Sequence, residues 1–209
     1  MVENTREVLA ASPVIPVVTI DDVEAAVPVA QALVDGGVPI IEVTLRTPQG
    51  LEALRRIAAE VPTMLVGAGT VLNPQQAEDA LEAGAEFLVT PGLSQSLLAW
   101  IPSSGVPCLP GVSTLGQVMD ALDAGITELK FFPAEAAGGV PYLKAVAGPV
   151  PGVTFCPTGG IGLGNVREYL QLKNVACVGG SWLTPQAALA AGDWDDIRRR
   201  AAEAAKLGG

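Results

Sequence analysis

The stretch "VIPVVTIDDVEAAVPVAQALVDGGVPIIEVTL", Val14 to Leu45, decides the fold. Two runs rich in β-branched residues, "VIPVVTI" from Val14 and "PIIEVTL" from Pro39, enclose a segment with apolar residues at helical spacing. That segment opens on Asp21 and Asp22, which suit a helix N-terminus, and closes on Gly36 and Gly37, which suit the other end. Pro28 falls inside it and predicts either a place in the first turns or a kink. A strand, a helix and a second strand in so short a span make one βα unit and the start of the next.

Working outward, the unit recurs. Further strand-like runs are "MLVGAGT" from Met64, "FLVTPG" from Phe87, "PCLPGVS" from Pro107, "ELKFFP" from Glu128, "TFCPTGG" from Thr154 and "VACVGGSW" from Val175. Their starts lie 20 to 26 residues apart, one βα unit per step. "NPQQAEDALEAGA" predicts a helix with Asn73 as N-cap and Pro74 at its first position, and "STLGQVMDALDAGI" repeats the pattern. Eight alternating units point to an α/β fold, a (β/α)₈ barrel in one domain spanning residues 1–209. Such barrels typically take about 250 residues, so the loops must be lean. An open doubly wound sheet is the alternative. Pro16, Pro110 and Pro157 conflict with the strand pattern, since each lacks a ladder donor; irregular strand ends would absorb them.

Composition narrows the function. An apolar content of 49% excludes a disordered chain, and a net charge of −10 with only Arg198–Arg200 as a basic cluster disfavours nucleic acid as a partner. The chain has no histidine, so acid–base work falls to carboxylates, lysine, tyrosine or thiols, and no metal site is expected. Cys108, Cys156 and Cys177 lie in apolar segments without ligand spacing and read as buried thiols of a cytoplasmic protein. The N-terminus lacks the pattern of a signal peptide, and no apolar run nears the roughly 20 residues that span a bilayer.

Active sites of these barrels form at the C-terminal ends of the strands. Lys130 sits in "ELKFFP" between Leu129 and two phenylalanines, an apolar setting that strips water from the ammonium and favours the free amine. A free amine is the nucleophile that makes Schiff bases with ketones; a structural ion pair is the plain alternative. Glu42 in "PIIEVTL" is the best base candidate, because a carboxylate in an apolar strand is costly unless paired or functional. Period two puts Glu42, Thr44 and Arg46 in one row, and Lys130 and Phe132 in another. Arg46, at the mouth, suits a substrate carboxylate, and Thr70 closes the third strand beside small glycines. Glu128 falls at the opposite, stability end; Glu135 lies at the mouth but in a segment equally readable as loop or helix start. "TGGIG" from Thr158 and "GGSW" from Gly179 close the seventh and eighth strands, the usual phosphate position of the fold.

Taken together, "EVTLRT", "VGAGTVLNPQQ", "FFPAEAAGG", "FCPTGGI" and "VGGSWL" resemble the 2-keto-3-deoxy-6-phosphogluconate (KDPG) aldolases, class I aldolases of the Entner–Doudoroff pathway, over nearly the whole chain. The resemblance implies a Schiff base on Lys130, acid–base work by Glu42, and a hold on the pyruvyl carboxylate by Arg46 and Thr70. It implies that Phe132 packs near the imine and that Thr158 stands beside the substrate. Gly159, Gly160, Gly179 and Ser181 match the region that receives the phosphate. It further implies a phosphorylated keto acid as small-molecule partner, no cofactor, no membrane and a homotrimer. Sister activities on the galactonate epimer or on 4-hydroxy-2-oxoglutarate remain open, as does a barrel that binds phosphate without turnover.

Overall fold

The computed structural model describes residues 2–208. Nine parallel strand segments run β1 (Val14–Val18), β2 (Ile40–Thr44), β3 (Leu65–Gly69), β4 (Phe87–Val89), β5 (Cys108–Leu109), β6 (Gly111–Val112), β7 (Glu128–Phe131), β8 (Thr154–Pro157) and β9 (Val178–Gly180). One ladder has the order β5-β4-β3-β2-β1-β9 and a second the order β6-β7-β8. The chain itself joins them across Pro110, and bridges of Phe155 to Val175 and Thr158 to Gly179 join the other edges. The result is a closed, eight-stranded cylinder with a helix after each strand, as the repeat predicts.

The fifth strand departs from the expectation of one run. Pro110 has no N–H to give the ladder, so the strand breaks into β5 and β6 on either side of it. Its carbonyl remains useful and accepts the Lys130 N–H at 2.9 Å. Pro16 lies opposite Gly180, and Pro157 ends β8, where a missing donor matters least. The eighth strand starts later than its apolar run: Val175 makes only an isolated bridge, and β9 begins at Val178.

The helices follow their caps. Val23–Ala25 form a 3₁₀ turn capped by Asp22, and α2 (Ala26–Asp35) follows, which puts Pro28 in its first turn. α4 (Pro74–Glu82) starts on the Asn73 cap, whose side chain accepts from the Gln76 N–H. α6 (Leu115–Asp123) carries a full capping box between Thr114 and Gln117. α1 (Thr5–Ala10), which the strand–helix count does not include, lies at the N-terminal end of the barrel. There Thr5 hydrogen-bonds the backbone of Cys108 and Arg6 Nε donates to Glu128 at 2.7 Å. Glu128 is thereby occupied at the end opposite the mouth.

Both faces of β1 and β2 are buried, as a parallel sheet demands when helices cover it outside and side chains fill it inside. Inside, the Phe87 ring takes the space that a Cβ on Gly67 would need. No helix among the described residues is long and apolar enough to cross a membrane.

Candidate active site

Alternation along β2 and β7 turns Glu42 and Lys130 into the cylinder. They meet there: Lys130 Nζ lies 3.2 Å from Glu42 Oε1, with only 4% and 3% of the two side chains exposed. An ammonium and a carboxylate this deep are tolerated because they face each other. The surroundings of Lys130 differ from the sequence expectation in one respect. Its two neighbouring phenylalanines do not both shield it, since adjacent strand residues face opposite ways. Phe132 faces in, with its ring centroid 5.5 Å from Nζ. Phe131 faces out to the helix layer, stacked on Tyr142 at 5.1 Å and edge-on to Phe155.

Above this pair is a cavity of about 280 Å³ at the C-terminal mouth. Arg46, Phe132, Thr158, Gly159, Gly160 and Ser181 all contribute to its wall, six of the positions selected from sequence. Thr70 stands behind Arg46 and accepts its Nε–H at 3.0 Å. Thr70 holds a left-handed backbone, φ 60°, which is strained for a β-branched residue and is a usual mark of a functional position. Gly179 is not part of the wall. It makes room instead, because a Cβ there would collide with Thr158 Oγ1.

The glycine turn after β8 is shaped for an anion. Gly159 and Gly160 have φ +103° and +77°, and the N–H groups of Gly160 and Ile161 find no acceptor among the described residues, while the Gly159 N–H faces the bridge to Gly179. Consecutive free amides in such a turn form a nest for negative charge. Such a turn is a local source of positive potential in a chain of net charge −10.

Several contributors carry little sequence signal. Val17, Thr19, Ile161 and Gly180 also line the cavity. Thr19 shares a hydrogen bond with Thr44 at 2.9 Å, and its place two residues after Val17, just past the end of β1, is the one clue to it. Behind the glycine turn, Glu135 accepts a short hydrogen bond from the Tyr169 hydroxyl. Burial and that contact push the Tyr169 phenol well above its ordinary range. Among the described residues no group of three or more His, Cys, Asp or Glu gathers as a metal site. The three cysteines are free and buried, with Cys177 raised by its hydrogen bond to Cys156 and by burial.

The same arrangement of chain is found in known proteins. The family model for KDPG and KHG aldolase matches residues 5–200. The "KHG/KDPG aldolase" of Escherichia coli strain K12 is 53% identical over 207 residues, covering 98% of this chain and 97% of its own. A crystal structure of KDPG aldolase from Legionella pneumophila, with pyruvate captured as a covalent carbinolamine, is 47% identical, has a TM-score of 0.93, and covers 95% of this chain and 96% of its own. The KDPG aldolase of Zymomonas mobilis ZM4 with 3-phosphoglycerate is 43% identical with a TM-score of 0.94, covering 99% and 97%. A match of this length and identity, on a barrel with this buried pair, means that the chain belongs to the KDPG and KHG aldolase family.

Proposed function

We propose that the protein is a class I aldolase that cleaves 2-keto-3-deoxy-6-phosphogluconate to pyruvate and glyceraldehyde 3-phosphate. The observation that carries this reading is the buried contact of Lys130 Nζ with Glu42 Oε1 at 3.2 Å, beneath a cavity walled by Arg46, Ser181 and the Gly159–Gly160 turn.

Lys130 passes a proton to Glu42 and attacks the C2 ketone as the free amine. Glu42 returns protons as the carbinolamine loses water, and the resulting iminium draws electrons from the C3–C4 bond. Glu42, directly or through water, takes the C4 hydroxyl proton. The bond breaks, glyceraldehyde 3-phosphate leaves, and the enamine is protonated and hydrolysed to pyruvate. Arg46, steadied by Thr70, holds the pyruvyl carboxylate with its planar fork. Phe132 keeps water from the imine. Thr158 stands beside the substrate chain, while the Gly159–Gly160 turn and Ser181 take the phosphate; Gly179 keeps Thr158 in place. No cofactor enters these steps.

Activity on 4-hydroxy-2-oxoglutarate is a second reading, supported by the double name of the Escherichia coli relative. The family resemblance supports a homotrimer; light scattering would give three times the chain mass. Three free, buried thiols fit a reducing, cytoplasmic setting.

Borohydride reduction in the presence of pyruvate tests the assignment. Peptide mapping is expected to find the adduct on Lys130, and Lys130→Ala to release no pyruvate in a lactate dehydrogenase-coupled assay while Lys144→Ala does. An adduct on another lysine, or activity lost to a chelator and restored by a divalent ion, would overturn it.

A further inference from the structure

We infer that Glu135 and Tyr169 are positioning residues for the turn Thr158–Ile161, and so set the preference for a phosphorylated over an unphosphorylated keto acid; this rests on the aldolase reading above. The turn is held by its carbonyls. Thr158 O accepts from the Ala134 N–H at 2.8 Å, Gly159 O from the Glu135 N–H at 3.1 Å, and Gly160 O from Asn165 Nδ2 at 3.1 Å. With the oxygens drawn outward, the amides of Gly160 and Ile161 are left to the anion. Two of the three anchors belong to Ala134 and Glu135, so the place of Glu135 decides the place of the nest.

Glu135 lies in the irregular segment after β7 and is itself exposed, so the helices around it do not fix it. Its carboxylate is instead tied to the hydroxyl of Tyr169, a fully buried ring on α8 (Val166–Leu170). The chain is shaped around this contact. A Cβ on Gly160 would collide with Glu135 Cγ, and one on Gly139 would lie 3.1 Å from Tyr169 Oη and 3.2 Å from Glu135 Oε1. Both glycines have positive φ, so the backbone is closed over the pair where no other residue fits. The contact has an electrostatic side. A carboxylate beside an anion site opposes binding unless it is held outside, and Glu135 is bound outside the cavity wall by the phenol.

The test compares full-length Tyr169→Phe, Glu135→Ala, Glu135→Gln and Asn165→Ala with the unaltered protein. For Tyr169→Phe and Glu135→Ala, KM for the phosphorylated keto acid is expected to rise about ten-fold, the equivalent of one hydrogen bond to a charged group. The rate of pyruvate trapping by borohydride and kcat should stay unchanged. Glu135→Gln keeps an acceptor for the phenol and should retain the parent KM. Asn165→Ala loosens the third anchor from a half-buried position and should raise KM even where Tyr169→Phe fails to fold. An unchanged KM in folded Tyr169→Phe or Glu135→Ala, or an equal loss in trapping and in KM, would overturn the proposal. Absence of pyruvate trapping in the unaltered protein would overturn the aldolase reading itself.

Discussion

Glu42 reaches Lys130 because Gly69, its neighbour on β3, has no side chain. A Cβ on Gly69 would overlap the Glu42 carboxylate, so Gly69→Ala is expected to push that group off the lysine and lower kcat by about 10²-fold, the cost of a displacement on the order of 1 Å. Gly92→Ala, with nothing within 4 Å of its new methyl, is the control for steady-state kinetics. Glu42→Gln keeps the shape but loses proton transfer, and kcat should fall by a factor of roughly 10² to 10⁴. That Glu42 and Lys130 are buried and paired was legible in the sequence, because a charge inside an apolar strand must find a partner or a function. Thr19 was not, since a threonine at a strand end is ordinary. Nor was Tyr169, whose hydroxyl finds Glu135 only once α8 packs beside the turn after β7. The outward turn of Phe131 follows from the same period-two row that joins Lys130 to Phe132, whereas run-wise hydrophobicity blurs the two faces of a strand.

At the level of the element, local chemistry was the reliable guide. Asn73–Pro74 marked the start of α4 and the segment from Ser113 that of α6, where the structure adds the Thr114–Gln117 box, because caps satisfy backbone donors without help from the rest of the fold. Thr114→Ala is expected to cost about 1 kcal/mol in urea unfolding and leave kcat unchanged. Pro110 shows where local chemistry ends. The sequence announces a missing donor, but the choice between a bulge and a broken strand depends on neighbouring ladders. α1 was missed for a related reason: it is six residues long, and its contacts are with Cys108 and Glu128, far along the chain.

For the whole molecule, closure of the sheet makes two thiols, Cys108 and Cys177, titrate late. Burial pushes Cys108 from 9.0 up to about 12. The folded state then keeps a proton that the unfolded chain gives up, so the associated stability is complete below pH 9 and is lost as pH rises toward 12. Unfolding free energies from urea titrations should fall across that window with a slope of about 1.4 kcal/mol per pH unit for each such thiol. Cys108→Ala should flatten the slope by one thiol's share, with Cys177 and the raised phenols of Tyr142 and Tyr169 contributing to the remainder. The barrel itself was legible because eight repeats of one unit leave few arrangements, whereas the split into two ladders was not.

That split carries a kinetic signature. The amide of Lys130 hangs on Pro110 in one ladder, while Glu42 is stitched into the other. Deuterium uptake at these two amides in native conditions should therefore yield two distinct protection factors, lower at residue 130, where the adjoining segments are only two residues long. Identical factors would mean that the cylinder breathes as a single cooperative body and that the proline is no seam.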